Sequence, residues 1–181
     1  MSRAATPGQT VGPFFGFALP GPGGADLVPP GHAGAVQLTG RVLDGAGVPV
    51  PDALLEIWQA DAAGRVVQQP GSWHRDGFTF TGWGRAATDN AGRYRFTTVV
   101  PGAVAGGVPF IAMTVFARGL LDRLLTRVYL PGTAEDPLLA SLPPERRGTL
   151  IARQEGATLH FDVHLQGPDE TVFLRHPGRD D

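Results

Sequence analysis

The chain has 181 residues and a mass of 19.0 kDa, which is enough for one domain with a substantial core. Hydrophobic residues make up 42% of it, which excludes a disordered chain, and 26 glycines with 17 prolines, roughly twice the average share, disfavour long helices. A net charge of −2 and the lack of cysteine exclude a nucleic-acid or anionic-membrane binder, a disulfide framework and a thiolate metal site.

Residues 1–34 are rich in glycine, proline and alanine and are predicted to form an N-terminal arm followed by a loose connection. The arm contains Phe14, Phe15 and Phe17, and each ring gains about 1.5–3 kcal/mol when it is fully buried. This favours an arm that docks its rings onto a surface over a flexible tail. No apolar run is long enough for a signal peptide or a membrane helix, so the predicted location is the cytoplasm.

Residues 35–181 have the pattern of a second region made of short strands and turns. Three Asp-x-x-Gly segments, 44–47, 61–64 and 89–92, have the residue preferences of type I turns and predict hairpins. The spacing of the turns predicts an all-β fold, an antiparallel β-sandwich with one or two short helices. The predicted strands are Val36–Leu43, Ala53–Trp58, Gly84–Thr88, Arg93–Val99, Ile111–Ala117, Leu124–Leu130, Thr149–Gln154 and Thr158–Gln166.

The last of these strands has the clearest pattern. Leu159, Phe161, Val163 and Leu165 alternate with polar residues, as a half-buried antiparallel strand requires. A hairpin is expected at Glu155-Gly156, just before this strand. Short helices are expected at Asp136–Ser141 and after Pro143-Pro144, since proline suits the first turn of a helix.

The polar face of that strand carries His160, Asp162 and His164, which together suggest a metal site. However, a strand rises about 3.3 Å per residue, so the two histidines are roughly 13 Å apart and cannot readily share one ion. We therefore interpret these residues as a solvated polar face. The other histidines, His32, His74 and His176, share no ligand spacing.

Arg118 follows the apolar strand Ile111–Ala117. An arginine at the end of a strand is usually solvated or paired with a carboxylate. Alternatively, its guanidinium could hold an anionic ligand, because its planar fork matches a carboxylate. The residues alone leave both interpretations open, and they show no evident catalytic group.

Four blocks of sequence follow one another over nearly the whole chain: Thr6–Phe15, Leu38–Val42 with Glu56–Gly64, Val115–Gly119 with Thr126–Leu130, and Phe161–Gly167 with Glu170–Phe173. In this order they resemble the intradiol ring-cleaving dioxygenases. Segments 9–13 and 116–119 are similar to the α chains of the two-chain enzymes of that family rather than to the catalytic β chains.

The resemblance implies chemistry at a non-haem Fe(III) held by two tyrosinates and two histidines. The histidine positions of the catalytic chain fall here on Phe110 and Ala112. One tyrosine position falls near Val104, and the other near Ser72 or Trp73.

None of these residues is an iron ligand, and the only tyrosines, Tyr94 and Tyr129, lie in strands distant from those positions. A hard Fe(III) site needs convergent anionic or imidazole ligands. The resemblance therefore implies that this chain binds no metal and that Fe(III) is bound by a partner β subunit.

By position, Thr10, Gly12, Pro13 and Arg118 are expected to bind substrate at the αβ interface, with no catalytic residue on this chain. The implied reaction is cleavage of 3,4-dihydroxybenzoate by O2 to 3-carboxy-cis,cis-muconate. The alternatives are a transthyretin-like interaction module without activity and a self-sufficient homo-oligomeric dioxygenase. The absent signal peptide and the missing ligands, respectively, count against them.

Overall fold

The computed structural model describes residues 7–12, 14–68, 75–133 and 136–175, which include two packed sheets. One sheet has the strand order β4-β1-β8-β7, with β9 also paired to β1, and the other has the order β3-β2-β5-β6. The strands are β1 (Ala35–Leu43), β2 (Leu54–Trp58), β3 (Trp83–Ala87), β4 (Arg93–Val99), β5 (Phe110–Phe116), β6 (Leu124–Tyr129), β7 (Arg153–Glu155), β8 (Thr158–His160) and β9 (Val163–His164).

Alternation of apolar and polar residues explains why the sheets stack. In β5, Ile111, Met113 and Val115 are buried between the sheets, while the residues between them are only partly covered. Leu38 and Phe96 approach them from the opposite sheet and are fully buried in the same cluster. The predicted β-sandwich is therefore confirmed.

The strand predicted over Thr158–Gln166 is divided into β8 and β9. The predicted inward face is correct, since Leu159, Phe161 and Val163 are buried. The hairpin around Gly156 is also correct, because β7 and β8 pair antiparallel across it. However, β8 and β9 pair with β1 in the parallel direction, so the first sheet is mixed rather than purely antiparallel.

The three Asp-x-x-Gly segments form the predicted turns. In each, the aspartate Oδ1 accepts backbone N–H bonds from residues two and four positions later, and the glycine has positive φ. Turns 44–47 and 89–92 lead from one sheet to the other, so they do not join β1 to β2 or β3 to β4 as hairpins. Across turn 44–47 the pairing is limited to a short antiparallel bridge between Leu43 and Pro49. A turn motif specifies local geometry but not the sheet that the next strand joins.

The helices are short. Helix α1 (Phe15–Ala18) lies in the arm, α2 (Pro137–Ser141) has Asp136 as its N-cap, and α3 (Pro144–Arg147) continues into a 3-10 turn at Gly148–Leu150. The last two confirm the predicted helices, whereas α1 was not predicted. The strand predicted at Thr149–Gln154 is wrong at Thr149 and Leu150, which lie in the 3-10 turn, and β7 begins only at Arg153. None of the described helices is long and apolar enough to cross a membrane.

The segment after the arm is bonded to both sheets, so the predicted loose connection is wrong. Leu27 N–H donates to Thr97 O of β4 at 2.8 Å, and Thr97 N–H donates to Ala25 O at 3.0 Å. On the other sheet, Arg85 N–H of β3 donates to Gly24 O at 2.9 Å. The division into an arm at 1–34 and a sandwich at 35–181 stays a prediction.

A tight crossing lies over the middle of β1. The hydroxyl of buried Tyr94 donates to the carbonyl oxygen of Phe161, between β8 and β9. Gly40 lies directly beneath, and a Cβ there would be 1.8 Å from the same oxygen. Only a residue without a side chain fits at this position.

Burial holds the pKa of Tyr94 well above its ordinary value of 10, and the charge of Asp162 adds to this effect. Above pH 10 the unfolded chain loses this proton while the folded chain keeps it, so we expect folding stability to fall as pH rises. Tyr94→Phe should cost about 1–3 kcal/mol at neutral pH, because it leaves a buried carbonyl unpaired. Its stability should also decline less steeply above pH 10.

Urea denaturation between pH 8 and 11 measures both effects. Burial raises the pKa of Tyr129 as well, so some alkaline decline remains in the variant. Equal slopes in the two proteins would contradict this role for Tyr94.

Candidate functional site

The arm is attached to the loop that follows β5. Gly119, with φ of +91°, directs its N–H toward Thr10 Oγ1 at 2.8 Å. Farther along the arm, Gly8 lies against Leu121, whose carbonyl oxygen would be 2.8 Å from a Cβ at Gly8. The structure thus places Thr10 against Gly119, the residue that follows Arg118.

Arg118 is paired with a carboxylate, as one of the two interpretations of its sequence position expected, although the sequence did not identify the partner, Asp52. Its Nη2 lies 2.8 Å from Asp52 Oδ2, and its side chain is 56% exposed. Asp52 has a φ of +61° in the turn before β2, and the backbone of the arm passes close to it at Gly16. A guanidinium held by one nitrogen in this way keeps further N–H donors for an anionic ligand.

The register of β2 and β5 explains this pairing. Leu54 lies opposite Phe116, so the residues two positions outside the pair, Asp52 and Arg118, meet beyond the strand ends. Asp52 could have been identified as the partner of Arg118 only from the pairing of β2 with β5, which the sequence alone does not provide.

The other predicted residues of the arm are less constrained. Gly12 is exposed, and a Cβ there would have no atom within 4 Å, so its backbone is open to close approach. Pro13 lies outside the described residues. Of the arm's three rings, Phe15 is buried on this chain, whereas Phe14 and Phe17 are 76% and 84% exposed. The predicted docking of the rings therefore holds within this chain for Phe15 alone.

A separate pocket gathers three positions named in the sequence analysis. Val104, Phe110 and Ala112 all line a cavity of about 250 Å³ at the start of β5, together with Trp58 of β2. The ring of Phe110 is held by the Arg127 guanidinium, 4.1 Å from its centroid, and by the Tyr129 ring at 5.9 Å. Among the described residues, the cavity wall is apolar apart from Gln59, whereas a metal site would need several donors.

Comparison with known proteins decides the family. The chain is 40% identical to the protocatechuate 3,4-dioxygenase alpha chain of Burkholderia cepacia over 191 residues, covering 93% of this chain and 96% of that one. The chain belongs to the intradiol dioxygenase family. A family model described as "Dioxygenase" matches residues 25–107.

Other intradiol dioxygenases support this assignment. The beta chain of the Burkholderia cepacia enzyme is 39% identical, covering 77% of this chain and 68% of that one. The dioxygenase domain of a carbohydrate-binding fusion from Streptomyces sp. SirexAA-E has a TM-score of 0.57 at 26% identity, covering 79% of this chain and 87% of its own. These relatives are dioxygenases, so the transthyretin-like module gains no support.

Enzymes of this family depend on Fe(III), and the described residues do not fit that ion. Among them, no group of three or more histidine, aspartate or glutamate side chains could hold a metal. His160 lies 3.5 Å from Glu155, and Asp162 Oδ1 accepts the backbone N–H of Arg41 at 2.8 Å. His74, His176, Ser72 and Trp73 lie outside the described residues, so the absence of iron from this chain stays a prediction.

Both tyrosines are engaged as neutral hydroxyls in the core. Tyr94 donates to Phe161, and Tyr129 donates to Asp136 Oδ1 at 2.8 Å while accepting from Arg127 Nη1 at 3.1 Å. Burial raises the pKa of Tyr94 and of Tyr129. A tyrosinate ligand needs the opposite shift, so neither residue has the environment of an iron ligand.

Proposed function

We propose that this chain is the α subunit of a protocatechuate 3,4-dioxygenase and completes the substrate pocket of a β subunit that binds Fe(III). The observation that carries the proposal is the hydrogen bond between Thr10 and Gly119, which fixes the arm beside Arg118. The names of the α-chain and β-chain relatives support the pairing with a β subunit.

In this proposal Arg118 binds the carboxylate of 3,4-dihydroxybenzoate. Its fork donates N–H bonds to the carboxylate, while Asp52 holds the side chain from the other side at 2.8 Å. Thr10 sets the position of the arm, and Gly12 and Pro13 form a close wall against the flat ring. This chain thereby orients the ring and excludes water.

The exposed rings of Phe14 and Phe17 supply the contact with the β subunit. Each gains about 1.5–3 kcal/mol on full burial, and both lie within eight residues of Thr10. The same contact would therefore bring the arm into the neighbouring site. When bound by the β subunit, Fe(III) would supply the chemistry that lets the catechol react with O2 to give 3-carboxy-cis,cis-muconate, and this chain would orient the ring for that reaction.

The test compares this chain with and without the β subunit of its own organism. Expressed alone, the chain should contain no stoichiometric iron and show no O2 uptake with 3,4-dihydroxybenzoate. Expressed together, the two should co-purify with iron and consume O2 when the substrate is added. A full complement of iron in the chain alone, or no association with the β subunit, would overturn the proposal.

A further inference from the structure

The outer face of the β3-β2-β5-β6 sheet carries an apolar pocket, partly open to solvent, that the proposed function does not use. Its volume is about 250 Å³. It lies at the end of β2 and the start of β5, where Trp58 is opposite Ala112. The side chains that form its walls are Trp58, Val66, Val104, Val108, Phe110 and Ala112.

The one polar side chain among the described residues of the wall, that of Gln59, already has hydrogen-bond partners. Gln59 is buried, and its Nε2 donates to Val99 O at 2.8 Å and Ala60 O at 3.2 Å. Its Oε1 accepts from Thr98 Oγ1 at 2.8 Å. None of the described residues lining the pocket carries a charge, so a carboxylate placed there would lose its hydration without gaining a partner.

Two aromatic side chains, Phe110 and Trp58, form part of the walls. Phe110 is fixed by Arg127 and Tyr129, neither of which lines the pocket. Trp58 is 43% exposed, which is unusual for so large an apolar residue on a strand. A ligand ring that packed against both would remove this surface from water and gain aromatic contacts.

We propose that this pocket binds a small neutral aromatic ring, of the size of toluene or fluorobenzene. An apolar cavity of about 150 Å³ is known to bind benzene, so the volume here suffices for one substituted ring. The site is distinct from the Arg118 end of the same strands. Six residues of extended chain separate Ala112 from Arg118, which corresponds to about 20 Å.

The test is 19F NMR titration of the αβ enzyme with fluorobenzene, together with 4-fluorobenzoate as the charged counterpart. We expect saturable binding of fluorobenzene with a Kd on the order of 1 mM or tighter. Ala112→Phe, which fills the pocket, and Val104→Asp, which places a charge in its wall, should each weaken binding at least tenfold. Ala140→Phe adds the same ring on an exposed helix residue and should change nothing.

Two further comparisons separate this site from the proposed substrate site. Arg118→Ala should leave fluorobenzene binding unchanged. The 19F titration with 4-fluorobenzoate should be the same for the parent enzyme and for Ala112→Phe, because the charged ring does not enter this pocket. Failure of the Arg118 assignment therefore does not affect this result. Absence of saturable binding, including closure of the pocket by the β subunit, or binding that survives both pocket variants, would overturn the inference.

Discussion

Replacing Arg118 by alanine in the αβ enzyme should raise KM for 3,4-dihydroxybenzoate by about 10- to 100-fold with a smaller change in kcat. Hydrogen bonds to charged groups contribute about 1.5–3 kcal/mol, and 1.4 kcal/mol corresponds to a factor of ten. The guanidinium is available for such bonds, since Asp52 engages one of its nitrogens and the side chain is more than half exposed. Steady-state O2 uptake measures the effect.

Arg118→Lys separates the effect of charge from the effect of shape, because it keeps the positive charge but loses the planar fork. Its KM should fall between that of the parent enzyme and that of Arg118→Ala. Arg153→Ala is the matched control, because Arg153 is also an exposed arginine paired with a carboxylate, that of Glu155. It should leave KM unchanged. Equal kinetics for Arg118→Ala and the parent enzyme would remove Arg118 from the substrate site.

Gly40→Ala should be the most damaging single substitution for folding. A Cβ at Gly40 would lie 1.8 Å from the Phe161 carbonyl oxygen and 3.0 Å from the Tyr94 hydroxyl. Because the first contact is with backbone, β1 must move away from the crossing between β8 and β9. We expect a loss of at least about 3 kcal/mol, a large fraction of the stability of an ordinary domain.

Thermal unfolding and the yield of the αβ complex measure this loss. Gly31→Ala is the control, because a Cβ at Gly31 would have no atom within 4 Å, and it should unfold close to the parent temperature. A Gly40→Ala protein as stable as the control would mean that the strands are not as close at this crossing as the structure shows.

Local pattern was sufficient to predict most elements of the sandwich. The strand Arg93–Val99 was predicted with both boundaries correct, and turn 89–92 marks its start. Asp136 and the prolines at 143 and 144 likewise predicted the starts of two short helices. These signals act over a few residues, so they are visible before the chain is folded.

Features that depend on distant pairing were not predictable in this way. The parallel pairing of β8 with β1, the contact of Asp52 with Arg118 and the bonds of 24–28 to β3 and β4 all join residues far apart in sequence. The resemblance to a family gave the arm and Arg118, yet it did not give Asp52. Helix α1 was missed because its four residues, in which Gly16 separates Phe15 from Phe17, are too few to show a helical period.

The bonds of residues 24–28 also protect the sandwich from self-association. β4 and β3 are the outer strands of their sheets, and an open outer strand is a template for pairing with another molecule. Thr97 and Arg85 instead pair with Ala25, Leu27 and Gly24 of the same chain. Residues 24–28 thus cover part of the outer strand of each sheet against edge-to-edge pairing with another molecule. The arm that precedes them in the sequence stays available to a partner.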